Sequence, residues 1–216
     1  MIINLSEQRS IASKFISELR DIHIQSDRLR FRYNLERLGE IFAFEISKTL
    51  SYQARQVETP FGIANTQYIT DRLVVSALLR AGLPLHKGIL NYFDEADSAF
   101  ITSYRMHHKD GSFEVKLEYI TAPRLDGAVL IIADPMIATG SSLKKSMDAL
   151  FEFGTPKSVH IVSVIATTEG IHHIQRFYPR ARFWIGEIDE EITAKSYIVP
   201  GIGDAGDLCF GDKMID

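Results

Sequence analysis

One segment of the sequence combines a carboxylate with a turn of small hydroxyl residues. Asp134 directly follows the apolar run 128–133, and Thr139-Gly140-Ser141-Ser142 then leads into a helical pattern. The first turn of a helix presents unpaired N–H groups and a partial positive charge, and hydroxyl side chains add further donors. This turn therefore predicts a phosphate site, although an ordinary strand-turn-helix with Ser141 or Ser142 as N-cap is an alternative interpretation. The segment is neither a Walker loop nor a dinucleotide-binding fingerprint.

The elements around this turn alternate between strands and helices. Continuous apolar runs are typical of strands that are covered on both faces, and helical patterns lie between them. The strands are predicted at 73–79, 128–133 and 159–166, and the helices at 83–93, 142–153 and 168–177. Such alternation indicates right-handed βαβ units, and hence an α/β fold with a mainly parallel sheet flanked by helices.

The N-terminal part of the chain has helical patterns. Ser6 is the expected cap of a first helix with Ile11, Phe15, Ile16 and Leu19 on its apolar face, and a longer helix is predicted from 28 to 56. Thr59-Pro60 is expected to stop this second helix, so that the N-terminal helices occupy about 6–57. No linker or repeat interrupts the sequence, and we expect one domain over residues 1–216.

Two later segments depart from the alternation. Residues 100–106 and 113–120 flank Lys109-Asp110-Gly111-Ser112, whose Asp-Gly pair favours a hairpin. We expect a β-arm at about 100–120 that protrudes from the sheet. The final stretch, about 197–216, is rich in glycine and is expected to be a structured loop without a regular element.

The composition limits the class of protein. The net charge of −4 argues against a surface that attracts nucleic acid, and 45% hydrophobic content is typical of a globular chain. We expect a cytoplasmic protein, because we find neither a signal peptide nor a membrane span and because Cys209 is the only cysteine.

We expect no metal ligands on the chain, since His172 and His173 are adjacent and would point about 100° apart on a helix.

Several motifs resemble one enzyme family. The segment from Asp134 to Ser142 resembles the phosphoribosyl pyrophosphate loop of type I phosphoribosyltransferases, and Asp-Pro-Met-Ile-Ala-Thr-Gly is similar to its uracil phosphoribosyltransferase branch. Leu79-Arg80-Ala81-Gly82 resembles the pyrophosphate loop of that branch, and Tyr104-Arg105 its arginine before the flexible arm. Tyr197-Ile198-Val199-Pro200-Gly201-Ile202-Gly203-Asp204-Ala205-Gly206-Asp207 is similar to its uracil-binding loop. The motifs occur in family order over about 73–211.

The resemblance implies a role for each matching residue. The residues implied to bind phosphoribosyl pyrophosphate (PRPP) are Arg80, Arg105, Asp134, Pro135, Met136, Ile137, Ala138, Thr139, Gly140, Ser141, Ser142 and Asp204. Those implied to bind uracil are Ile198, Gly203, Asp204 and Ala205. Asp204 and Arg105 are the implied catalytic residues, and the C-terminal loop is the implied base-binding hood. Ser141 and Leu208 depart from the family pattern.

The implied reaction joins uracil to PRPP and yields uridine monophosphate (UMP) and pyrophosphate, as in pyrimidine salvage. The resemblance also implies a homodimer or larger homo-oligomer. Because Pro135 replaces a second acid, we expect Mg²⁺ to be held mainly by the substrate pyrophosphate. Two other hypotheses remain open at this point: a non-catalytic nucleotide-sensing module with the same fold, and a phosphoribosyltransferase for another base.

Overall fold

A central sheet with helices on both faces forms the body of the protein. The computed structural model describes residues 1–107, 113–194 and 196–213, with the backbone alone over 103–107 and 113–116. The strands are β1 (Ile2–Asn4), β2 (Tyr52–Thr59), β3 (Gly62–Ile69), β4 (Leu73–Leu79), β5 (Asp97–His107), β6 (Phe113–Thr121), β7 (Val129–Ala133), β8 (Met136–Ile137), β9 (Ser158–Thr167), β10 (Arg182–Asp189), β11 (Glu191–Ile192) and β12 (Ile198–Val199). The α-helices are α1 (Ala12–Arg20), α2 (Arg28–Ser47), α3 (Gly82–Leu90), α4 (Ser141–Leu150), α5 (Thr168–Phe177) and α6 (Ala205–Phe210), with 3-10 turns at Leu5–Glu7 and Phe151–Phe153.

The main sheet has the strand order β1-β10-β9-β7-β4-β5-β6, and β8 adds to β9. Its neighbours pair in parallel except β5 and β6, which are antiparallel. The prediction of an α/β fold with a mainly parallel sheet flanked by helices is confirmed. The predicted strands and helices between residues 73 and 177 are also confirmed, with small shifts at their ends.

The core has two layers, one on each face of the sheet. Helices α1, α2 and α3 cover one face, where Val75 and Ile131 are fully buried. Helices α4 and α5 cover the other face, where the adjacent residues Val74 and Leu130 point. Because successive side chains of a strand alternate between faces, the continuous apolar runs serve both layers.

The first helix begins later than the sequence predicted. Ser6 lies in the 3-10 turn after β1, and α1 starts at Ala12. Ile11, which was expected on the buried face, is 58% exposed. The first residues of the chain form β1 instead, which pairs with β10 and is the edge strand of the sheet.

The second helix is shorter than predicted, because a hairpin follows it. Helix α2 ends at Ser47, and β2 and β3 pair in register from Tyr52↔Ile69 to Thr59↔Gly62. Pro60 stands in the two-residue turn of this hairpin, where its fixed φ suits the first turn position. Thr59-Pro60 is therefore a hairpin turn, and the expectation of helices to about residue 57 was wrong.

Strands β5 and β6 run past their neighbour in the sheet. Pairing between β4 and β5 ends at Leu79↔Thr102, whereas β5 and β6 stay paired to His107↔Phe113. The extended pair agrees with a β-arm in this region. The predicted turn residues 109–112 lie outside the described residues.

The C-terminal stretch contains regular structure that the sequence did not predict. Strand β12 pairs with β11, and helix α6 begins after Asp204. The helix is too short for a periodic apolar pattern to show. Within the described parts of the chain, the helices all fall short of the length and apolarity that crossing a membrane requires.

Candidate functional site

The carboxyl ends of the central strands bring two predicted segments together. Ala77 of β4 is in register with Ala133 of β7, so both strands end at the same edge of the sheet. Arg80 follows β4 and Asp134 follows β7. Ligands of open α/β sheets bind at this edge, beside the crevice where neighbouring strands diverge.

The turn before α4 leaves its helix N-terminus free of a side-chain cap. Gly140 is the N-cap residue, with φ +77°, and it makes no side-chain cap bond. The Ser141 amide lies 3.4 Å from Thr139 Oγ1, and that hydroxyl donates to Ser141 Oγ over 3.2 Å. Neither Ser141 nor Ser142 is the N-cap, so the expectation of a serine cap was wrong. Ser141 has a helical backbone, which explains why glycine is not needed there.

The segment between Asp134 and Ala138 is fixed to the neighbouring strand. The Pro135 carbonyl accepts hydrogen bonds from the amides of Val164 and Ile165, at 3.1 and 3.0 Å. Met136 and Ile137 form β8 on β9. Asp134 is half-buried, and its Oδ1 accepts from the Met136 amide at 3.3 Å. These contacts hold the backbone of the loop and leave Asp134 at the sheet edge.

Helix α5 supports the turn at residues 138–142, which is predicted to bind phosphate and is called the phosphate turn below. Sequence reasoning missed this support. Thr167, the N-cap of α5, donates from Oγ1 to the Ala138 carbonyl at 2.6 Å. A Cβ built on Gly170 would lie 2.2 Å from the same carbonyl oxygen. A Thr at the predicted start of α5 is a recognisable cap, but its second contact with residue 138 depends on tertiary structure.

Arg80 reaches from the end of β4 to the C-terminal segment. Its guanidinium donates to Asp207 Oδ1 at 2.7 Å and to the Gly211 carbonyl at 3.1 Å. Gly82 begins α3, and a Cβ there would lie 2.5 Å from the Ala133 carbonyl oxygen. The glycine allows the start of α3 to pack against the end of β7, beside Asp134.

The C-terminal loop presents backbone groups and a carboxylate. Ile198 is 9% exposed, Gly203 has φ +78°, and Ala205 is buried at the start of α6. Asp204 is the N-cap of α6: its Oδ1 accepts from the Asp207 amide at 3.1 Å, and its Oδ2 pairs with Lys213 Nζ at 3.2 Å. Burial raises the pKa of Asp204, but the Asp207 amide and the Lys213 ammonium outweigh it, and the net pKa is lowered.

Gly206 lies beside both the Arg80 guanidinium and the Asp204 carboxylate. A Cβ built on Gly206 would lie 3.2 Å from Asp204 Oδ1 and 3.4 Å from Arg80 Nη2. The structure therefore brings Arg80 and Asp204 to the same side of α6. Leu208 packs against the other side of this loop, with its Cδ1 3.4 Å from where a Cβ on Gly203 would stand.

Arg105 and Cys209 differ in how far the structure describes them. Arg105 lies in β5 with its backbone in register with Val115, and its side chain is outside the described part of the molecule. Cys209 is buried, and burial raises the pKa of its thiol to about 12, which excludes a thiolate nucleophile at neutral pH.

Comparisons with known proteins show the family of this chain. The family profile described as uracil phosphoribosyltransferase matches residues 6–212. The chain is 46% identical over 214 residues to a uracil phosphoribosyltransferase of Porphyromonas gingivalis, covering 99% of each chain. It is 36% identical over 204 residues to one from Pyrococcus furiosus, covering 93% of this chain and 86% of that one.

A solved structure shares the whole fold. A protein from Aquifex aeolicus superimposes with a TM-score of 0.88 at 27% identity, covering 100% of both chains. The family match extends from the first turns of the N-terminal region to the end of the C-terminal loop. With the motifs converging at one sheet edge, this chain belongs to the uracil phosphoribosyltransferase family.

Proposed function

We propose that this enzyme transfers the phosphoribosyl group of PRPP to uracil, giving UMP and pyrophosphate in pyrimidine salvage. The observation that carries the proposal is the convergence of an uncapped helix N-terminus, a phosphate-binding type of arginine and a glycine-rich loop at one edge of the sheet. A phosphate ester, a pyrophosphate and a small planar base each match one of these features.

The reaction requires that its two substrates are positioned and that charge in the transition state is stabilised. Breaking the ribose C1–O bond gives an oxocarbenium-like transition state, and negative charge grows on the leaving pyrophosphate. The N–H groups of residues 139–142 hold the 5′-phosphate, and Arg80 binds pyrophosphate through the guanidinium donors that its bonds to Asp207 and Gly211 do not use. Asp134 orients the ribose hydroxyls. The backbone of residues 198 and 203–205 then presents the uracil nitrogen to C1.

Asp204 orients uracil and is not a strong proton acceptor. Its carboxylate already accepts the Asp207 amide and faces Lys213, and both interactions stabilise the ionised form. A carboxylate with a lowered pKa has a weak tendency to take a proton. We therefore assign its role as holding the N–H edge of the base and stabilising positive charge near C1.

Arg105 supplies a second contact to pyrophosphate from the start of the arm. An arginine at this point of β5 lies beyond the last residue that pairs with β4, at the same sheet edge as Arg80.

Arg105→Ala should lower kcat/KM for PRPP by about tenfold to a hundredfold, because one charge-assisted phosphate contact is lost. Unchanged steady-state kinetics would exclude this role.

Mg²⁺ would be held mainly by the pyrophosphate of the substrate, with few ligands from this chain. Across residues 1–107, 113–194 and 196–213, no group of three or more His, Cys, Asp or Glu is placed to hold a metal. Asp134 and Asp204 offer single carboxylates, while pyrophosphate and water supply the remaining oxygens that Mg²⁺ prefers. When bound, the ion neutralises charge on the leaving group.

We also propose a homo-oligomer in the cytoplasm. The β2–β3 hairpin pairs with no other strand among the described residues, and Phe61 at its tip is 101% exposed. Ile63 is 72% exposed beside it, and such apolar residues on a projecting hairpin favour contact with a second copy. The unpaired Cys209 supports a reducing compartment.

One assay tests the reaction. Purified protein is incubated with Mg²⁺, PRPP and each of uracil, cytosine, orotate, hypoxanthine and adenine, and the product is identified by mass spectrometry. We expect UMP from uracil and no comparable product from the other bases. Nucleotide formed from another base in preference to uracil would reassign the substrate, and no turnover with any base would favour the non-catalytic module.

A further inference from the structure

Both backbone groups of Gly201 are held by one ion pair. Its amide donates to Asp189 Oδ2 at 2.9 Å, and its carbonyl accepts from Arg20 Nη1 at 2.9 Å. Arg20 and Asp189 are themselves joined by two hydrogen bonds, Nη2 to Oδ1 at 2.7 Å and Nη1 to Oδ2 at 3.0 Å. Parallel bonds of this kind fix the relative orientation of the two groups as well as their distance.

The ion pair comes from two elements outside the loop it holds. Arg20 is the last residue of α1, and Asp189 is the last residue of β10. Asp189 is 6% exposed, and the Arg20 side chain is 19% exposed. The pair therefore fixes the backbone of the loop relative to α1 and β10.

Gly201 lies between the two groups of residues that we assign to uracil. Ile198 precedes it in β12, and Gly203 and Asp204 follow it before α6. Gly201 has φ +60°, and a Cβ there would lie 2.3 Å from the Ile198 carbonyl oxygen. The backbone of Gly201 therefore lies against that of Ile198, and a rotation at Gly201 would move Ile198 relative to Gly203.

The segment after α1 supports the same loop at a second point. Gln25 Nε2 donates to the carbonyls of Leu19 and Arg20, at 3.1 Å each. Its Oε1 lies 3.6 Å from where a Cβ on Gly203 would stand. Gln25 therefore links the end of α1 to the loop at Gly203.

We propose that Arg20 and Asp189, which occur in none of the family motifs, are positioning residues for uracil: by holding both peptide groups of Gly201 they set the distance between Ile198 and the 203–205 backbone. We name this arrangement the Gly201 clamp. The inference rests on the proposed function, since it assigns uracil to the loop. A displacement of about 1 Å in a substrate-positioning group can reduce the rate about a hundredfold.

Glu187 provides a matched control. Its Oε2 accepts from Nε and Nη2 of the same Arg20 guanidinium, at 3.2 and 3.0 Å. Its side chain is 40% exposed, and the contacts it makes with Arg20 do not involve Gly201. Glu187→Gln therefore weakens an ion pair of Arg20 without removing a contact to the loop.

The test compares Asp189→Asn and Arg20→Lys with Glu187→Gln in the full-length protein. In Asp189→Asn the loop amide loses its charged acceptor; in Arg20→Lys a single ammonium cannot hold Asp189 and the Gly201 carbonyl as a fork does. We expect both variants to raise KM for uracil at least about tenfold and to change KM for PRPP by less than about threefold. Glu187→Gln should change neither by more than about twofold.

Hydrogen–deuterium exchange provides a readout that needs no substrate. Amides in residues 198–203 should exchange faster in Asp189→Asn and Arg20→Lys than in the wild type, and at the wild-type rate in Glu187→Gln. An unchanged uracil KM in either folded clamp variant, an equal rise in both KM values, or the same effect in Glu187→Gln would overturn the proposal. If the wild type fails to make UMP, the proposed function fails, while the exchange data still test the clamp.

Discussion

Asp204 has a structural role in the same side chain to which we assign a chemical one. One carboxylate oxygen caps α6 through the Asp207 amide, and the other pairs with Lys213. Arg80 lies on the same side of the helix, close to Gly206. A residue that orients the base can thus be held rigidly by the helix that it begins.

Asp204→Asn separates these two roles. Asparagine is as good an N-cap as aspartate, so the midpoint of thermal unfolding should change little. The loss of negative charge should lower kcat about tenfold to a hundredfold, because charge stabilisation near the reacting carbon is weakened. Steady-state kinetics and circular dichroism melting measure the two effects.

Asp212→Asn is the control for this substitution. Asp212 is exposed, carries the same charge and lies in the same C-terminal stretch. It should leave kcat near the wild-type value. Equal losses of kcat in both variants would show that the effect comes from the charge of the segment and not from Asp204 itself.

At the scale of elements, the phosphate turn depends on the start of the next helix. Thr167 and Gly170 of the α5 N-terminus both meet the Ala138 carbonyl. The turn is therefore packed between β9 and α5. A site organised before binding loses less conformational entropy when the ligand arrives.

Gly170→Ala tests this packing. In an ordinary helix the change would stabilise the protein by about 0.5–1 kcal/mol. Here the new Cβ would stand 2.2 Å from the Ala138 carbonyl oxygen, so the turn must shift. We expect a lower melting temperature and a KM for PRPP raised at least about tenfold, as the proposed hydrogen bonds to the 5′-phosphate weaken.

Glu169→Ala places the same residue type one position earlier on the exposed side of α5. It should leave the KM for PRPP unchanged. A Gly170→Ala enzyme with wild-type affinity for PRPP would show that α5 does not control the turn.

At the scale of the whole molecule, a neutral histidine is built into the sheet. His160 of β9 is 1% exposed and stacks on Trp184 of β10. The Trp184 Nε1–H donates to His160 Nδ1 at 3.1 Å, which requires an unprotonated nitrogen there. Burial, with the charge of Arg182, lowers the pKa of His160 from 6.5 to about 4.

The lowered pKa predicts how stability depends on pH. Between about pH 4 and 6.5 the unfolded chain binds a proton at residue 160 that the folded protein does not, so the free energy of unfolding falls as pH falls through this window. The contribution reaches up to about 3 kcal/mol. The free energy of unfolding of wild type and His160→Gln is measured with urea from pH 4 to 7. We expect it to depend less steeply on pH in the variant.

His86 is also buried with a pKa lowered mainly by burial, but it is present in both proteins and cancels in their difference. Parallel stability curves for wild type and His160→Gln would contradict the prediction.

The exposed hairpin predicts the state of assembly. Phe61→Ser removes the most exposed large apolar side chain of the β2–β3 hairpin. Light scattering should give at least twice the monomer mass for the wild type and a shift towards monomer for the variant. Tyr92→Ser, at an exposed aromatic outside the hairpin, should leave the mass unchanged. A monomeric wild type would contradict the proposed oligomer.

The local signals in the sequence determined much of this protein. Continuous apolar runs specified the parallel strands from Leu73 onwards, because a strand buried on both faces needs apolar residues at every position. The Thr139-Gly140 turn specified a helix start without intrahelical partners for its first N–H groups, since that lack is a property of the local backbone. The Thr59-Pro60 pair misled, because proline suits both the end of a helix and a hairpin turn, and only the pairing of β2 with β3 distinguishes them.

Tertiary structure decided what holds these segments in place. Gly170 against Ala138, Arg80 on Asp207, and Arg20 with Asp189 on Gly201 join residues that are far apart in the chain. No local pattern predicts such pairs, because their energy depends on distances that exist only after the helices pack on the sheet. The sequence determined which residues we propose for phosphate and base, and the packing of α1, α5 and β10 decided how the loops that carry them are held.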